Sequence, residues 1–378
     1  MNKRIIGVIG FLAIVLLAVY ISLQIARNSS EEQIETVNIG VLLPLTGNAA
    51  YYGEASRRGI EIAKEEIEQS YPNINFKVFY EDSLYTAQGG VSAYKKLRNI
   101  QKTDAVITAA SQVSLAILPL ATEDKVVQMA IFSSTNKYSV PNDLSFRVST
   151  KNDIESQYVA KFVKKQAFKT LAIVYLNNDF GVGFKDALKE QLSQLKTDTT
   201  IIAEESYLLE DNDFRTSLAK IKNKSPDAVF IVGTATSYAL ILKQARELGM
   251  KTQFISMRSA EDPVLLRNAK EAAESLVYTY PFDQTKQNKE IKTFTKKFQT
   301  KYATIPDAYA AEGYEGFKLL AQAYNKCGKE EPCLKSYFQE IKEYNSLFGL
   351  LTFDLNGDVV YPFFLKTVRN GEFVPLES

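Results

Sequence analysis

Short apolar runs alternate with stretches of helical periodicity from Val37 to Tyr280. Apolar runs of about four to eight residues are typical of strands buried on both faces. Strands that alternate with helices form parallel sheets, because each helix carries the chain back across the sheet. One series of strands ends before Val148 and a second begins at Leu171. We therefore predict an α/β fold with two doubly wound parallel-sheet lobes.

The tail of the chain departs from this alternation. Three helical patterns cover residues 288–302, 307–326 and 334–344. They are followed by two apolar segments, 348–354 and 359–368, on either side of Asn356-Gly357. Asn-Gly favours the type I′ turn of a two-residue β-hairpin. We therefore predict that the fold ends on a hairpin across Asn356-Gly357.

Charge and residue usage limit the function. The 378 residues include no His, and 45 basic residues nearly balance 44 acidic ones. The absence of imidazole excludes Ser-His-Asp and Cys-His nucleophile systems and histidine metal ligands. The formal net charge of +1 provides no basic surface for nucleic acid. These features favour a binding protein over an enzyme, with no metal, no cofactor and no nucleic-acid partner.

The N-terminus reads as a targeting segment over residues 1–27. Lys3 and Arg4 precede Ile5–Ile25, a segment with no formal charge. Its length reaches the roughly 20 residues that cross a bilayer and exceeds the roughly 7–15 residues of a signal-peptide core. Positive charge before the segment places the remaining chain outside the cytoplasm. We favour an uncleaved membrane anchor over a cleaved signal peptide, with residues 28–36 as a polar tether.

Two cysteines, Cys327 and Cys333, lie close together in CGKEEPC. In an oxidising compartment such a pair favours a disulfide that closes one loop. The spacing does not fit a zinc site, and the alternative is two free thiols.

Three polar loops follow predicted strands. They are Thr108–Gln112, Ser133–Thr135 and Gly233–Ser237. Ligands of open α/β sheets bind outside the carboxyl ends of the strands. Hydroxyls and backbone N–H groups at helix starts suit a carboxylate, although each loop taken alone is also explained by helix capping. Together the three loops favour a binding site.

Ordered segments of the chain carry a family resemblance. They are VNIGVLLPLTGNAAYYGEASRRG (37–59), YEDS (80–83), SST (133–135), FRVS (146–149), DFGVG (179–183), SPDAV (225–229) and QARELG (244–249). This set resembles the leucine/isoleucine/valine-binding branch of the type I periplasmic binding proteins. The resemblance extends from about Val37 to the C-terminus.

The resemblance implies a monomeric extracytoplasmic protein that closes two lobes around a small amino-acid-like or carboxylate-bearing solute. A membrane permease of an ABC importer would then take up that solute. Residues 37–148 and 282–351 would form one lobe, and 149–281 and 352–378 the other, with crossovers near Ser149, Tyr280 and Thr352. The alternative function is the ligand-sensing ectodomain of an anchored receptor.

The family's ligand clamp maps onto particular positions of this sequence. The implied ligand contacts are an aromatic lid at Tyr52, the loop Ala110, Ser111 and Gln112, the neighbouring Ser133 and Thr135, and Phe180 and Thr234 from the facing lobe.

One position departs from the family pattern. Amino-acid binders of the family have an acidic residue after the Gln253–Ser256 strand, where it pairs with the ligand ammonium. Here the aligned residue is Arg258. A guanidinium holds a carboxylate in bidentate fashion but repels an ammonium. One explanation is that Glu261 takes the acidic role. Another is that the ligand is not an α-amino acid and that Arg258 binds it. The third is that Arg258 forms a surface salt bridge and has no role in binding.

Overall fold

The computed structural model describes residues 19–20, 35–138, 140–141, 143–286 and 288–377. Apart from Val19 and Tyr20, the predicted segment Ile5–Ile25 lies outside these residues. Over the part of the chain that is described, no helix combines the length and the apolar character needed to cross a membrane.

The first lobe is built on a five-stranded parallel sheet. Its strands are β1 (Glu35–Leu43), β2 (Ile74–Asp82), β3 (Ala105–Ala109), β4 (Val127–Ile131) and β5 (Ser145–Arg147). They lie in the order β2-β1-β3-β4-β5. All residues of β3 and β4 are buried, as expected for strands covered by helices on both faces.

The second lobe is built on a seven-stranded sheet. Its strands are β6 (Thr170–Leu176), β7 (Thr200–Tyr207), β8 (Ala228–Val232), β9 (Gln253–Ser256), β10 (Val277–Tyr280), β13 (Phe364–Arg369) and β14 (Glu372–Pro375). They lie in the order β14-β13-β10-β9-β8-β6-β7, and β13 joins β10 in antiparallel fashion. The parallel part repeats the strand order of the first lobe. A small hairpin of β11 (Tyr344–Ser346) and β12 (Gly349–Leu351) stands apart.

Eleven α-helices are present in the described residues from Glu35 onward. They are α1 (Ala50–Ser70), α2 (Ala87–Lys96), α3 (Ser111–Glu123), α4 (Asn152–Lys165), α5 (Asp179–Gln194), α6 (Arg215–Lys224), α7 (Ala235–Glu247), α8 (Pro263–Ala269), α9 (Lys289–Tyr302), α10 (Ala308–Cys327) and α11 (Glu331–Glu340). The two-lobed α/β fold predicted from the alternation is confirmed. The exact lobe limits and the three crossover positions stay predictions.

Close packing of α1 on α10 ties the late helices to the first lobe. A Cβ at Gly59 would lie 1.9 Å from the carbonyl oxygen of Ala310, and one at Gly313 would lie 2.3 Å from that of Ser56. The two helix backbones therefore approach so closely that only glycine fits at these two positions. This contact holds α10, which begins at the lobe boundary, against α1.

The predicted hairpin across Asn356-Gly357 is wrong. The turn exists, with a hydrogen bond from the Gly357 N–H to the carbonyl of Asp354, but its flanking residues pair in no ladder. The terminal hairpin instead joins β13 to β14 across Asn370-Gly371. Both of these residues have positive φ, 54° and 71°, as a type I′ turn requires.

The predicted disulfide is confirmed. Cys327 and Cys333 are bonded, with their Cα atoms 5.4 Å apart. The bond links the last residue of α10 to the first turn of α11. It therefore fixes the short connection between these two helices.

Candidate ligand-binding site

In both sheets, the loops that lead from a parallel strand into the next helix lie at the carboxyl edge of the sheet. In a sheet of this strand order, the loops after the first and third strands diverge and leave a crevice at the carboxyl edge. In the first lobe these loops lead into α1 and α3, and in the second lobe into α5 and α7. Every residue of the predicted clamp except Ser133, Thr135 and Arg258 lies in one of these four loops or the first turn that follows it.

Tyr52 joins the two lobes. Its hydroxyl accepts a hydrogen bond from the N–H of Ala235 at 2.9 Å and donates one to the carbonyl of Ser259 at 3.1 Å. Its ring packs on Tyr309, with centroids 4.6 Å apart. Burial raises the pKa of Tyr52 well above its ordinary value, so the phenol remains neutral. The first turn of α1 therefore contacts the second lobe through a fully buried side chain.

The loop before α3 carries a strained residue. Ala110 has φ 77° and ψ 143°, a conformation that side chains with a Cβ seldom adopt. The Gln112 amide donates to the carbonyl of Tyr85 at 2.7 Å, while its Oε1 has no partner among the described residues. The Oγ of Ser111 is likewise buried without a partner there. Two polar atoms at the start of α3 are thus left available.

Arg147 fixes the loop after β4 through hydrogen bonds to the loop backbone. The guanidinium donates to the carbonyls of Ser133 and Thr135, at 3.2 and 2.8 Å, and pairs with Asp358. The Thr135 hydroxyl accepts from the N–H of Lys137 at 3.3 Å and so caps a turn. The Oγ of Ser133 is buried and finds no partner in the described chain.

The two predicted contacts of the second lobe have structural roles. The Thr234 hydroxyl caps α7 by accepting from the N–H of Ser237 at 3.3 Å. Phe180, in the first turn of α5, packs on Phe184 at a centroid distance of 5.2 Å. Phe180 is 9% exposed, so its side chain is almost completely buried.

Arg258 is buried in an ion-pair network between the lobes. Its guanidinium binds the Glu312 carboxylate on α10 and lies 4.0 Å from Glu155 on α4. Burial alone would lower the pKa of Arg258, but the nearby Glu312, Tyr361 and Glu155 hold it well above its ordinary value. The structure therefore excludes the surface salt bridge as an explanation, because Arg258 is 3% exposed.

Glu312 gathers donors from several elements. Those donors are Arg258, the hydroxyls of Tyr361 at 2.7 Å and Ser149 at 2.9 Å, and the N–H of Phe132. Glu155 in turn accepts from the N–H of Arg258 at 3.3 Å and from the Thr279 hydroxyl. Burial raises the pKa of Glu155. We call Arg258, Glu155, Glu312 and these donors the Arg258 network.

Glu261, the alternative acidic residue, is also engaged. Its carboxylate binds Lys366 at 2.5 Å and accepts from the Tyr278 hydroxyl at 2.6 Å. The predicted ligand contacts of Arg258 and Glu261 therefore both stay predictions, each with a protein partner already in place.

The buried acids and several buried tyrosines were not predicted from the sequence. Glu155 and Glu312 are 1% and 0% exposed, and Tyr85, Tyr238 and Tyr309 are buried near the same boundary. One signal for Glu312 was its place in the otherwise apolar run Ala308-Tyr309-Ala310-Ala311, since an acid on a buried helix face needs a partner.

Unpartnered polar atoms concentrate in one region. Among the described residues, nine of the sixteen buried side-chain polar atoms without a hydrogen-bond partner lie between positions 111 and 156. When the Oε1 of Gln128 on β4 is left out, eight atoms remain. They belong to Ser111, Gln112, Ser133, Ser134, Thr150, Asn152 and Ser156. A buried polar atom without a partner costs about 1–3 kcal/mol, so a concentration of them indicates a place where a ligand or water supplies the partners.

Comparisons with known proteins agree with this architecture. The family model described as periplasmic binding protein matches residues 36–372. The Leu/Ile/Val-binding protein homolog 2 of Brucella abortus is 26% identical over 346 residues, covering 89% of this chain and 91% of that protein. A leucine-, isoleucine-, valine-, threonine- and alanine-binding protein of Pseudomonas aeruginosa is 23% identical, over 86% of this chain and 87% of that protein.

Solved structures share the fold. The leucine-binding protein LivK of Thermotoga maritima matches with a TM-score of 0.83 at 25% identity, over 90% of this chain and 98% of that one. LivJ of Streptococcus pneumoniae, in complex with isoleucine, matches with a TM-score of 0.82 at 22% identity, over the same shares of the two chains. The chain therefore belongs to the type I periplasmic binding proteins, in the branched-chain amino acid family, and is an extracytoplasmic solute-binding protein rather than an enzyme.

Proposed function

We propose that this protein captures a small amino-acid-like or carboxylate-bearing solute between its lobes and delivers it to the permease of an ABC importer. The observation that carries the proposal is the set of buried hydroxyls and amides near the lobe boundary that have no hydrogen-bond partner among the described residues. A solute that fills this boundary supplies the missing hydrogen bonds, and its binding energy then favours the closed arrangement.

A carboxylate suits the start of α3. The first N–H groups of any α-helix have no partner within the helix, and the helix dipole favours negative charge there. Ser111 adds a hydroxyl at the same point, and Ser133 adds a second from the neighbouring loop; neither has a hydrogen-bond partner among the described residues. Hydrogen bonds to a charged group contribute about 1.5–3 kcal/mol each, so a few of them account for tight binding.

The amino-acid-like character rests on the relatives. Proteins that match nearly the whole chain are named for binding leucine, isoleucine and valine. The Arg258 network still offers two carboxylates for one guanidinium, so the region retains acidic character that suits an ammonium. Arg258 binds the solute in this proposal only if it exchanges Glu312 for the ligand.

Tyr52 acts as the closing contact of the proposed clamp. Its hydroxyl bonds to the second lobe in the closed arrangement, at Ala235 and Ser259. Rotation of the lobes about the crossovers near Ser149, Tyr280 and Thr352 would form both hydrogen bonds on closure and break both on opening. The lobes in this proposal are residues 37–148 with 282–351, and 149–281 with 352–378.

The proposal also includes a permease that receives the solute and an N-terminal attachment to the membrane. The alternation of ligand-bound and free states is what a permease would detect. An N-terminal anchor over residues 1–27 would hold the protein next to that permease, with 28–36 as the tether.

A thermal-unfolding panel tests the function. A ligand that binds only the native state stabilises it by about 2.7 kcal/mol at a hundredfold excess over Kd. We expect amino acids or small carboxylates to raise the unfolding temperature, and the same compounds without the carboxylate to have no effect. A panel in which no carboxylate-bearing compound shifts the transition would contradict the proposal.

A further inference from the structure

A second group of unpartnered atoms lies on the side of the site nearest the first crossover. It comprises Ser134, Thr150, Asn152 and Ser156, which we call the crossover cluster. All four residues are at most 1% exposed. Both polar atoms of the Asn152 amide, Oδ1 and Nδ2, are without partners in the described chain. A wholly unsatisfied buried amide is costly to fold and therefore points to a ligand.

The cluster adjoins the proposed carboxylate site. The N–H of Asn152 donates to the carbonyl of Ser134 at 2.7 Å, so the start of α4 is bonded to the loop that carries Ser133. Ser156 lies four residues after Asn152 on α4, and hence on the same helix face. The crossover cluster and Ser133 therefore belong to one continuous polar region.

Helix α5 bounds the cluster on the other side, at Gly183. A Cβ at Gly183 would lie 2.2 Å from the Nδ2 of Asn152, so glycine leaves the space that the amide occupies. α3 also contacts α5 across the boundary. The crossover cluster therefore lies where α4 packs on α5.

Charges around the cluster disfavour a second anion. The nearest ion pairs place two carboxylates, Glu155 and Glu312, around the single guanidinium of Arg258. Lys151, which precedes α4, pairs with Asp358 at 3.3 Å. A neutral group that both donates and accepts hydrogen bonds matches the Asn152 amide, and a primary carboxamide does both in the same plane.

We infer that the crossover cluster recognises a neutral carboxamide at the far end of a ligand whose carboxylate binds at the start of α3. This inference rests on the proposed function and narrows its ligand class. Branched aliphatic side chains leave the cluster unsatisfied and bind more weakly. Sites that hydrogen-bond a ligand group discriminate strongly against analogues that lack it.

Two pairs of isosteric probes test the inference by calorimetry. L-asparagine and L-leucine share one side-chain shape, as do succinamate and 4-methylpentanoate, and the second pair lacks the α-amino group. For the unmodified protein we expect the amide of at least one pair to bind about 10- to 100-fold more tightly than its aliphatic partner, because the latter leaves buried polar atoms unpaired.

Substitutions test whether the crossover cluster causes the preference for the amide over the aliphatic ligand. Asn152→Leu should abolish the amide preference or reverse it toward the aliphatic partner. Ser156→Ala, a smaller change that keeps the helix, should reduce the preference by about 3- to 10-fold. Asn223→Leu makes the same chemical change as Asn152→Leu at an exposed position of α6 and should leave both affinities unchanged.

The outcomes separate this inference from the proposed function. Equal or tighter binding of the aliphatic partner in both pairs, unaltered by Ser156→Ala, would overturn the carboxamide assignment while leaving a carboxylate-binding protein. Absence of binding for all four probes, together with no response in the carboxylate panel, would instead overturn the proposed function itself.

Discussion

The Arg258 network and the unpartnered polar residues between positions 111 and 156 are both buried near the lobe boundary, yet they differ in how many of their hydrogen bonds are formed. In the network, the Glu312 carboxylate has four donors and the Arg258 guanidinium has two acids near it. By contrast, Ser111, Ser133 and Asn152 keep polar atoms without partners in the described chain. Similar burial therefore accompanies opposite degrees of hydrogen bonding.

This difference separates the polar groups that stabilise the fold from those that are available to a ligand. Removing one member of a paired buried network leaves an uncompensated charge, so the loss appears in stability. Removing an unpartnered hydroxyl takes away a group that the folded state does not use, so the loss appears in binding. Substitutions in the two sets of residues test that division.

Glu312→Ala should lower the free energy of unfolding by about 3–5 kcal/mol, because it leaves the buried Arg258 guanidinium without its nearest acid. Urea denaturation measures this change. Glu340→Ala, at an exposed position of α11, should change stability by less than about 0.5 kcal/mol. Equal effects of the two substitutions would mean that the network contributes nothing to the fold.

Glu315 tests a buried acid outside both regions. Its carboxylate accepts from the N–H of Leu347 at 2.7 Å, and burial raises its pKa to about 7. An acid whose pKa is higher in the folded state stabilises the fold at low pH, and this contribution is lost as the pH rises from about 4.5 through about 7. The free energy of unfolding of Glu315→Gln, measured relative to the unmodified protein, should therefore be higher at pH 8 than at pH 5. The expected change in this difference is up to about 3 kcal/mol. Parallel stability profiles of the two proteins between these pH values would contradict the assignment.

Ser111→Ala should weaken ligand binding by about 10- to 100-fold while changing stability by less than about 1 kcal/mol. Its Oγ has no partner among the described residues, so the fold loses nothing when it is removed. Calorimetry with a ligand found in the thermal panel measures the affinity. Ser92→Ala on the exposed face of α2 provides the control, since its hydroxyl bonds only to the carbonyl of Gln88. If Ser111→Ala lowered stability without weakening ligand binding, Ser111 would serve the fold and not the ligand.

Tyr52→Phe should give the smallest effect, an affinity loss of about 5- to 15-fold, because it removes two neutral hydrogen bonds across the boundary and keeps the ring. Binding kinetics should show the change mainly in the dissociation rate, since the closed state is the one destabilised. An unchanged dissociation rate would indicate that these two bonds do not hold the lobes together.

Much of the fold could be predicted because its strands are buried on both faces and therefore read as continuous apolar runs. β3, β4 and β8 are the clearest cases. The C-terminal hairpin was misplaced because two Asn-Gly pairs compete. At Asn356-Gly357 the flanking Asp358 turns inward to pair with Arg147, whereas Asn370-Gly371 connects two strands. A local turn signal cannot distinguish these contexts.

The candidate site was only partly predictable. Loops at strand ends are visible in sequence, so Ser111 and Ser133 could be selected. The partner of Arg258 lies 54 residues away on a helix of the other lobe, and no local pattern connects the two. Asn152 was overlooked because its significance is the absence of a partner, which only the packed structure reveals.

The central claim is that the unpartnered hydroxyls hold the ligand. Titration calorimetry of the double variant Ser111→Ala/Ser133→Ala, with the best ligand of the thermal panel, tests it most directly. We predict an affinity loss of more than about 100-fold, with an unfolding free energy within about 1 kcal/mol of the unmodified protein. Unchanged affinity in a folded double variant would contradict the claim.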